Sequence, residues 1–129
     1  MIDVDHFKSI NDTFGHLSGD EALQWVANVL ATEFDEADVV ARYGGDEFCV
    51  FCKTDVTEDR LTAAMQRVND SLRVDRLQSN DVGTLSCSFG VSLRAGIGLS
   101  FERLQTEADQ ALYAAKRKGR CTFVFYTES

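Results

Sequence analysis

Residues 38–52 read DVVARYGGDEFCVFC, and this stretch decides the fold. Two short apolar runs lie on either side of the pair Gly44-Gly45. Because glycine adopts the positive φ that tight turns require, the pattern predicts an antiparallel hairpin that turns at the two glycines. Asp46 and Glu47 are then expected just past the tip of this hairpin.

A strand and a helix are predicted before the hairpin. Residues 1–5 resemble the end of a strand, and a polar, glycine-containing loop follows over residues 8–19. Ser18 and Glu21 have the spacing of a capping box, in which a hydroxyl and a carboxylate close the first helical turn. Apolar residues then recur at helical spacing, which predicts a helix to about Phe34.

Four further elements are predicted after the hairpin. Helical spacing over residues 61–72 predicts a second helix, with Thr57 as its cap. Residues 85–92 alternate strictly between apolar and small side chains, which is typical of a strand with one buried face. A third helix is expected to end near Gly119, and residues 121–126 are expected to form the last strand.

The predicted order is therefore strand, helix, hairpin, helix, strand, helix, strand. It indicates an α+β fold with a ferredoxin-like βαββαβ core, in which helices pack on one face of a central, mainly antiparallel sheet. Repeats, linkers and low-complexity segments are absent from the sequence, so residues 1–129 are expected to form one domain.

The charge balance excludes several classes of partner. The chain has 13 Lys and Arg against 21 Asp and Glu, a net charge of -8. Binding a nucleic acid along a broad surface needs clustered cations, so we expect no nucleic-acid partner. No run approaches the about 18 apolar residues that span a bilayer, so we expect no membrane contact by this domain. A small phosphate ligand whose charge is balanced by a metal is compatible with this composition.

The four cysteines indicate buried thiols rather than a metal site. Cys49 and Cys52 have CxxC spacing, but residues three apart on a strand point to opposite faces, so a shared zinc is not expected. All four, including Cys87 and Cys121, fall in apolar runs, as structural thiols of a reducing compartment do. We therefore expect a cytoplasmic location, or the cytoplasmic side of a membrane that anchors the parent protein.

Two groups of carboxylates fall at the same end of the predicted sheet. Asp3 and Asp5 end the opening strand and project from one face, and Asp46 and Glu47 follow the hairpin turn. If the opening strand lies beside the hairpin, Asp3 and Asp46 converge, and close carboxylates need a cation to neutralise them. Oxygen ligands of this kind suit Mg²⁺. The alternative is that these acidic residues near turns are solvated.

A basic cluster lies near the end of the third helix. Residues 116–120 read KRKGR, which places four of the 13 cations within five residues. Cations at a helix C-terminus interact favourably with the helix dipole, which is one explanation of the cluster. The other is a phosphate clamp opposite the acidic pair, because phosphoryl and nucleotidyl transfer use metals and cations together.

Four motifs in order resemble those of the GGDEF family, the diguanylate cyclases. Residues 42–48 (RYGGDEF) resemble the family's signature hairpin. Residues 3–12 (DVDHFKSIND), with the pairs GH at 15–16 and GD at 19–20, match its first motif. Its last two motifs are matched by SFGV at 88–91, and by ADQALYAAK at 108–116 followed by GR at 119–120. The resemblance spans essentially the whole chain and implies a fold like that of nucleotidyl cyclases and polymerase palms.

The resemblance implies a reaction and a metal site. Two GTP would condense to cyclic di-GMP, a bacterial second messenger, as each ribose 3′-hydroxyl attacks the α-phosphorus of the other GTP. Asp3 and Asp46 would hold Mg²⁺, or Mn²⁺ in its place, with the Val4 backbone carbonyl as a further ligand. Asp46 is also the implied general base, and Glu47 is the adjacent catalytic acid.

The resemblance also implies how GTP is bound. Asn11 and Asp20 would read guanine, because an amide oxygen and a carboxylate accept hydrogen bonds from its N1-H and N2-H₂ groups. Asp20 has the alternative role of an acid at a helix N-terminus. His16 would line the same pocket, and the alternative for it is a packed loop histidine.

The phosphates would be bound by cations. Lys116 and Arg120 would hold the β- and γ-phosphates, with assistance from Lys8.

Phe7 and Phe89 are expected to be packing residues.

The chain departs from the family pattern in three places. The family's product-inhibition motif, Arg-x-x-Asp, precedes the hairpin, but residues 35–38 here read DEAD, with Asp35 in place of the arginine. We therefore expect no product inhibition through this site, because an anionic product needs the arginine. Family domains also begin with a helix and the first half of the opening strand, whereas this sequence starts inside that strand. Cys121 stands where the family often has Asn.

Two functions are compatible with these residues. The first is an active cyclase that works as a homodimer of GGDEF domains, fused to a sensory or regulatory domain in the parent protein and weakly active when truncated. The second is a GTP-binding regulatory module with little or no catalysis. The enzyme is favoured because the residues implied to bind the metal and GTP are intact: Asp3, Asp46, Glu47, Asn11, Asp20, Lys116 and Arg120.

Overall fold

The structure is a computed structural model, and it describes residues 1–34, 38–53, 56–75, 85–93 and 100–127. Five strands and four helices lie in these residues. In chain order they are β1 (Ile2–Val4), α1 (Phe7–Phe14), α2 (His16–Glu33), β2 (Val39–Gly44), β3 (Glu47–Phe51), α3 (Glu58–Asp75), β4 (Cys87–Val91), α4 (Phe101–Arg117) and β5 (Phe123–Phe125).

β1 lies at the centre of a five-stranded sheet with the order β2-β3-β1-β4-β5. It pairs antiparallel with β3 on one side and with β4 on the other, so Ile2 lies opposite both Phe48 and Phe89. β2 is antiparallel to β3, whereas β5 is parallel to β4. This mixed, mainly antiparallel sheet with helices packed on it confirms the predicted α+β fold class.

The hairpin forms between β2 and β3, but its turn is displaced by one residue from the prediction. Gly45 has a φ of 49°, whereas Gly44 is the last residue of β2 and pairs with Glu47. The turn therefore consists of Gly45 and Asp46 rather than of the two glycines. The Arg42 guanidinium donates two hydrogen bonds to the Gly45 carbonyl oxygen, at 3.0 Å from Nε and 2.7 Å from Nη2. This arrangement holds Asp46 inside the turn.

Helices cover both faces of the sheet, so the prediction of helices on one face was wrong. α2 and α3 pack on one face, where Leu30 and Val68 belong to the main hydrophobic cluster. α4 packs on the other face, where Ala108 and Leu112 form a second cluster with Met1. The site residues of β1 therefore lie in a strand that is enclosed from both sides.

The close approach of α4 accounts for the alternating sequence of β4. Phe89 and Ser88 point to opposite faces, and both are buried. A Cβ at Gly90 would lie 2.1 Å from the carbonyl oxygen of Ala108 and 2.2 Å from the backbone nitrogen of Leu112. The small residues of β4 therefore make room for a helix instead of facing solvent, and the prediction of one buried face was wrong.

The segment that was predicted as a polar loop is largely helical. Only Ile10 is buried among the eight residues of α1. The apolar period of this short segment is therefore too weak to predict the helix from the sequence. Gly15, with a φ of 91°, separates α1 from α2. Because α2 begins at His16 and has no side-chain cap, the capping box predicted at Ser18 and Glu21 was wrong.

The other helix ends agree with the sequence. The Thr57 hydroxyl accepts a hydrogen bond of 3.2 Å from the backbone N–H of Arg60, as expected for the cap of α3. α4 ends at Arg117, and Gly119 follows it with a φ of 115°. Within the described ranges, no helix combines the length and apolar character that crossing a membrane requires.

The cysteines of the hairpin pack on opposite faces, as predicted. Cys52 lies against the main cluster, and Cys49 lies against the cluster that α4 covers. Burial, reinforced by Asp38, raises the pKa of Cys52 to about 12, and burial also raises the pKa of Cys49. Both thiols therefore stay protonated at neutral pH. Cys121 is exposed, so the expectation that all four thiols are buried was wrong.

Candidate active site

The acidic residues meet at the end of β1 that adjoins the hairpin turn. Asp3 lies opposite Glu47 in the β1–β3 register, so both side chains project from the same face. The Val4 backbone N–H donates a 3.1 Å hydrogen bond to the Asp46 carbonyl oxygen. The Asp46 carboxyl group interacts with that of Asp3. The structure therefore brings Asp3, Asp46 and Glu47 together around Val4.

The Asp3 carboxyl group is held in an electrostatically unfavourable position. Only 7% of the residue is exposed. Burial raises its pKa to about 6, and the neighbouring Asp46 carboxyl raises it too, whereas Lys116 opposes the shift. Burial and a like charge both disfavour a carboxylate, so the site needs more positive charge than Lys116 alone supplies.

One Asp3 oxygen is suited to a metal ion. Oδ1 is buried and has no hydrogen-bond partner among the described residues. The same part of the chain holds no group of three or more His, Cys, Asp or Glu side chains placed to bind a metal by themselves. Mg²⁺ fits this donor set, because it commonly takes only one or two carboxylates and completes its shell with ligand phosphates and water.

Lys116 reaches the acidic group from the last turn of α4. Its Nζ forms an ion pair with Asp3 Oδ2, and about a third of the lysine side chain is exposed (31%). This contact depends on the close packing of α4 over Gly90 described above, since Lys116 lies one helical turn beyond Leu112. The predicted phosphate-binding lysine is therefore adjacent to the predicted metal ligand.

Asp5 has a different environment from Asp3. Its carboxylate accepts hydrogen bonds from the hydroxyls of Ser86 (2.7 Å) and Ser88 (2.6 Å) and from the backbone N–H of Cys121 (3.0 Å). The last bond ties β1 to the left-handed pair Arg120 and Cys121, with φ values of 66° and 49°. The sequence pattern predicted Asp5 on the same face of the opening strand as Asp3, and only Asp3 was expected to bind the metal. The serines at alternate positions before and within β4 were the available signal for this network.

The predicted guanine-binding residues lie on α1 and α2. Asn11 is half-buried in α1 and packs against Gly19 of α2, and the neighbouring Asp20 is exposed. His16 is exposed at the start of α2, so the alternative of a packed loop histidine was wrong. Lys8 is also exposed, on α1. Asn11 and Asp20 thus lie at one corner of the molecule, where α1 and α2 meet.

A cavity in the described part of the chain lies away from this site. A cavity of about 190 Å³ is lined by residues such as Phe34, Met65 and Phe101, and by none of the acidic or basic site residues. Phe7 and Phe89, which were predicted to be packing residues, both pack in the main cluster. The candidate site is therefore defined by the charged groups at the end of β1.

The chain is similar to proteins of one family throughout its length. The family model described as "Diguanylate cyclase, GGDEF domain" matches residues 1–122. A relative in Escherichia coli (strain K12), the probable diguanylate cyclase DgcC, is 42% identical over 120 residues, which are 93% of this chain. The match covers 32% of that relative, so the chain spans about a third of its length.

Solved structures show the same similarity. The GGDEF domain of PA1120 (YfiN or TpbB) from Pseudomonas aeruginosa matches with a TM-score of 0.88 and 31% identity, over 99% of this chain and 80% of that one. The GGDEF domain of DgcB from Caulobacter crescentus, solved in complex with c-di-GMP, matches with a TM-score of 0.84 and 32% identity. That match covers 97% of this chain and 74% of the DgcB chain.

Proposed function

The chain belongs to the GGDEF domain family of diguanylate cyclases, and from that premise we propose that it condenses two GTP molecules into cyclic di-GMP, with release of two pyrophosphates. One observation carries the proposal. Asp3 lies between Asp46 and Lys116 and keeps one buried oxygen without a partner, which is a cation site next to a phosphate-binding cation.

We propose that Mg²⁺ is the cofactor and that Mn²⁺ can bind in its place. Asp3 Oδ1, the Asp46 carboxylate and the Val4 backbone carbonyl would be the protein ligands. When bound, the metal would activate the attacking hydroxyl and stabilise charge on the phosphate that is transferred. With a pKa of about 6, Asp3 is mostly ionised at neutral pH, as a metal ligand must be.

GTP is bound at both of its ends by residues of this chain. Lys116 and Arg120 hold the β- and γ-phosphates, and Lys8 supplies a further cation from α1. Asn11 and Asp20 accept hydrogen bonds from the guanine N1-H and N2-H₂ groups, and His16 lines the same pocket. This division is supported by the positions of Lys116 in the last turn of α4 and Arg120 just after it, and by the positions of Asn11 on α1 and Asp20 on α2.

Each half-reaction makes and breaks one bond at the α-phosphorus. The ribose 3′-oxygen bonds to that phosphorus, and the bond from the phosphorus to the oxygen that bridges to the β-phosphate breaks, which releases pyrophosphate. Asp46 accepts the proton of the 3′-hydroxyl, with Glu47 as the neighbouring acid. Lys116 and Arg120 stabilise the negative charge that develops on the pyrophosphate.

The reaction requires a second GTP, and we propose that a second copy of the domain presents it. The relatives that contain this domain are longer than the chain, which supports a parent protein with a fused sensory or regulatory domain. The cytoplasm, where GTP is available, is the proposed location. Neither a nucleic acid nor a membrane is proposed as a partner.

A product assay tests the function. The purified chain is incubated with GTP and Mg²⁺ at several protein concentrations, and cyclic di-GMP and pyrophosphate are measured by chromatography and mass spectrometry. Cyclic di-GMP that disappears on addition of EDTA is the expected result. GTP binding without product at any concentration would favour the regulatory module, and the absence of both GTP binding and product would overturn the proposal.

A further inference from the structure

Gly19 lies in a close contact between α1 and α2. A Cβ at this position would lie 1.8 Å from Asn11 Oδ1, 2.9 Å from Asn11 Cγ and 3.2 Å from Phe7 Cζ. Real side chains do not approach a Cβ to within 3.0 Å, so Asn11 occupies the space that any side chain at position 19 would need. Gly19 itself is buried.

The backbone does not require glycine at this position. The positive-φ glycines of the described residues are Gly15, Gly45 and Gly119, so Gly19 has an ordinary helical conformation inside α2. Glycine in a helix interior is less favourable than alanine by about 1 kcal/mol. The helix therefore loses stability by carrying a glycine here, and the space left for Asn11 is what the glycine provides.

Asn11 is poorly able to retain its position if that space is filled. Its Oδ1 is buried and has no hydrogen-bond partner among the described residues, so no bond fixes that end of the amide. To accept a hydrogen bond from guanine the amide has to turn about χ2, which brings Oδ1 outward and puts Nδ2 into the same space over Gly19. α1 has eight residues, of which only Ile10 is buried. A side chain at position 19 would therefore rotate the Asn11 amide away from α2 or displace α1 with it.

We propose that Gly19 is a positioning residue for recognition of the base, because it leaves the space that holds the Asn11 amide beside Asp20. This inference rests on the proposed function, in which Asn11 and Asp20 read guanine. The effect should be confined to recognition of the base. Asp3, Asp46 and Lys116 lie at the sheet and on α4. The three atoms nearest to a Cβ at Gly19 belong instead to Asn11 and Phe7.

The test is a double-mutant cycle. Gly19→Ala, Asn11→Ala and the double variant are compared with the wild-type chain, and Ser18→Ala on the preceding residue of α2 is the matched control. Calorimetry measures binding of GTP with Mg²⁺, and inorganic tripolyphosphate with Mg²⁺ is the probe without a base. Nitrogen-15 NMR follows the side-chain amide of Asn11 without any ligand.

The expected result is a loss of about tenfold or more in GTP affinity for each single variant, with no further loss in the double variant, because both changes remove the same contact. Tripolyphosphate affinity should not change, and Ser18→Ala should bind GTP like the wild type. The Asn11 amide resonances should shift in Gly19→Ala. The melting temperature should not fall, because alanine favours the helix.

Other results distinguish a failure of the guanine site from a failure of the positioning role of Gly19. If Asn11→Ala binds GTP normally, or the wild type binds no GTP, the assignment of the guanine site fails, while the NMR spectra still test the contact between Gly19 and Asn11. If Asn11→Ala binds weakly but Gly19→Ala binds normally, the positioning role is overturned and the guanine site stands. The positioning role would also be overturned if the losses of GTP affinity in the two single variants added up in the double variant. The same holds if Gly19→Ala lost as much affinity for tripolyphosphate as for GTP, or if its Asn11 resonances did not shift.

Discussion

At the scale of single residues, the Asp3 carboxyl group determines how the stability of the metal-free protein depends on pH. Burial and Asp46 raise its pKa to about 6, whereas an Asp in an unfolded chain titrates near a pKa of about 3.9. The folded state therefore binds the proton more tightly than the unfolded state does. The resulting stabilisation is complete below the unfolded pKa and is lost as the pH rises through about 6.

Asp3→Asn should therefore stabilise the protein at neutral pH, because it removes a buried charge that is disfavoured by Asp46. With EDTA present at pH 7.5, we expect the melting temperature to rise by roughly 2–5 °C, and the gain should disappear near pH 4. Asp12→Asn, the same change at an exposed position of α1, is the control and should have no effect. A lower melting temperature for Asp3→Asn at pH 7.5 would mean that the ion pair with Lys116 outweighs burial.

Asp46→Asn should abolish turnover without unfolding the protein. Asp46 lies in the two-residue turn rather than in a core, so the amide is tolerated structurally. Loss of a metal-binding carboxylate and proton acceptor should lower the rate by about 10²-fold or more. Initial rates and melting curves are measured on the same preparations. A variant with near-wild-type activity would contradict the assignment of Asp46 to the metal site.

At the scale of secondary-structure elements, the distance between α4 and β4 places Lys116 against Asp3. Gly90→Ala should move α4 outward, because the new Cβ would meet backbone atoms of Ala108 and Leu112 that cannot rotate away. We expect a loss of about 1–3 kcal/mol in the free energy of unfolding and a lower cyclase rate. Denaturant titration measures the first quantity.

Gly44→Ala is the matched control for stability, since a Cβ there would have no atom within 4 Å. It should unfold at nearly the same denaturant concentration as the wild type. Gly90→Ala with unchanged stability and unchanged rate would show that α4 does not depend on this close approach for its position.

Elements with a clear period could be predicted from the sequence, and elements without one could not. The hairpin and α3 were predicted because their apolar spacing is regular. α1 was missed because Ile10 is its only buried residue. Ser88 and Gly90 look like a solvent-facing row in the sequence, but the serine bonds to Asp5 and the glycine admits α4. A row of small residues on one face of a strand is compatible both with a closely packed helix and with exposure to solvent. The sequence alone could not distinguish these two environments.

The candidate site could be predicted in part for the same reason. Strand pairing and residue spacing were enough to bring Asp3 and Asp46 together. The ion pair between Asp3 and Lys116 depends on which face α4 covers and how closely it packs, and local sequence does not encode either quantity. The separate environment of Asp5 likewise arises only when β4 and the segment before β5 come together.

At the scale of the whole molecule, feedback by the product is expected to be absent at the usual position. Residues 35–37 lie outside the described residues, and in the sequence Asp35 stands where the family has an arginine. An anionic product is repelled by a carboxylate there. Initial rates should not fall as cyclic di-GMP is added. Potent non-competitive inhibition that survives mutation of Asp35 and Asp38 would reveal a different product site.

Activity should also depend on the meeting of two domains. The described residues of each chain offer one proposed guanine site, Asn11 with Asp20, and one acidic group around Asp3, whereas the proposed product contains two guanines. We therefore expect the second nucleotide to come from another copy that faces the first across a two-fold axis. With a net charge of -8 on each chain, the two copies repel each other until Mg²⁺ and the nucleotides bridge them.

Specific activity per chain should consequently be low in dilute solution and rise with protein concentration. A dimeric coiled coil fused upstream of Met1 should raise it at low concentration, because the linkage replaces an encounter in solution with a high effective concentration. A monomeric helical fusion of equal length is the control and should have no effect. Rates and sedimentation are measured on the same dilution series. Specific activity that stays constant down to concentrations where the chain sediments as a monomer would contradict a reaction between two domains.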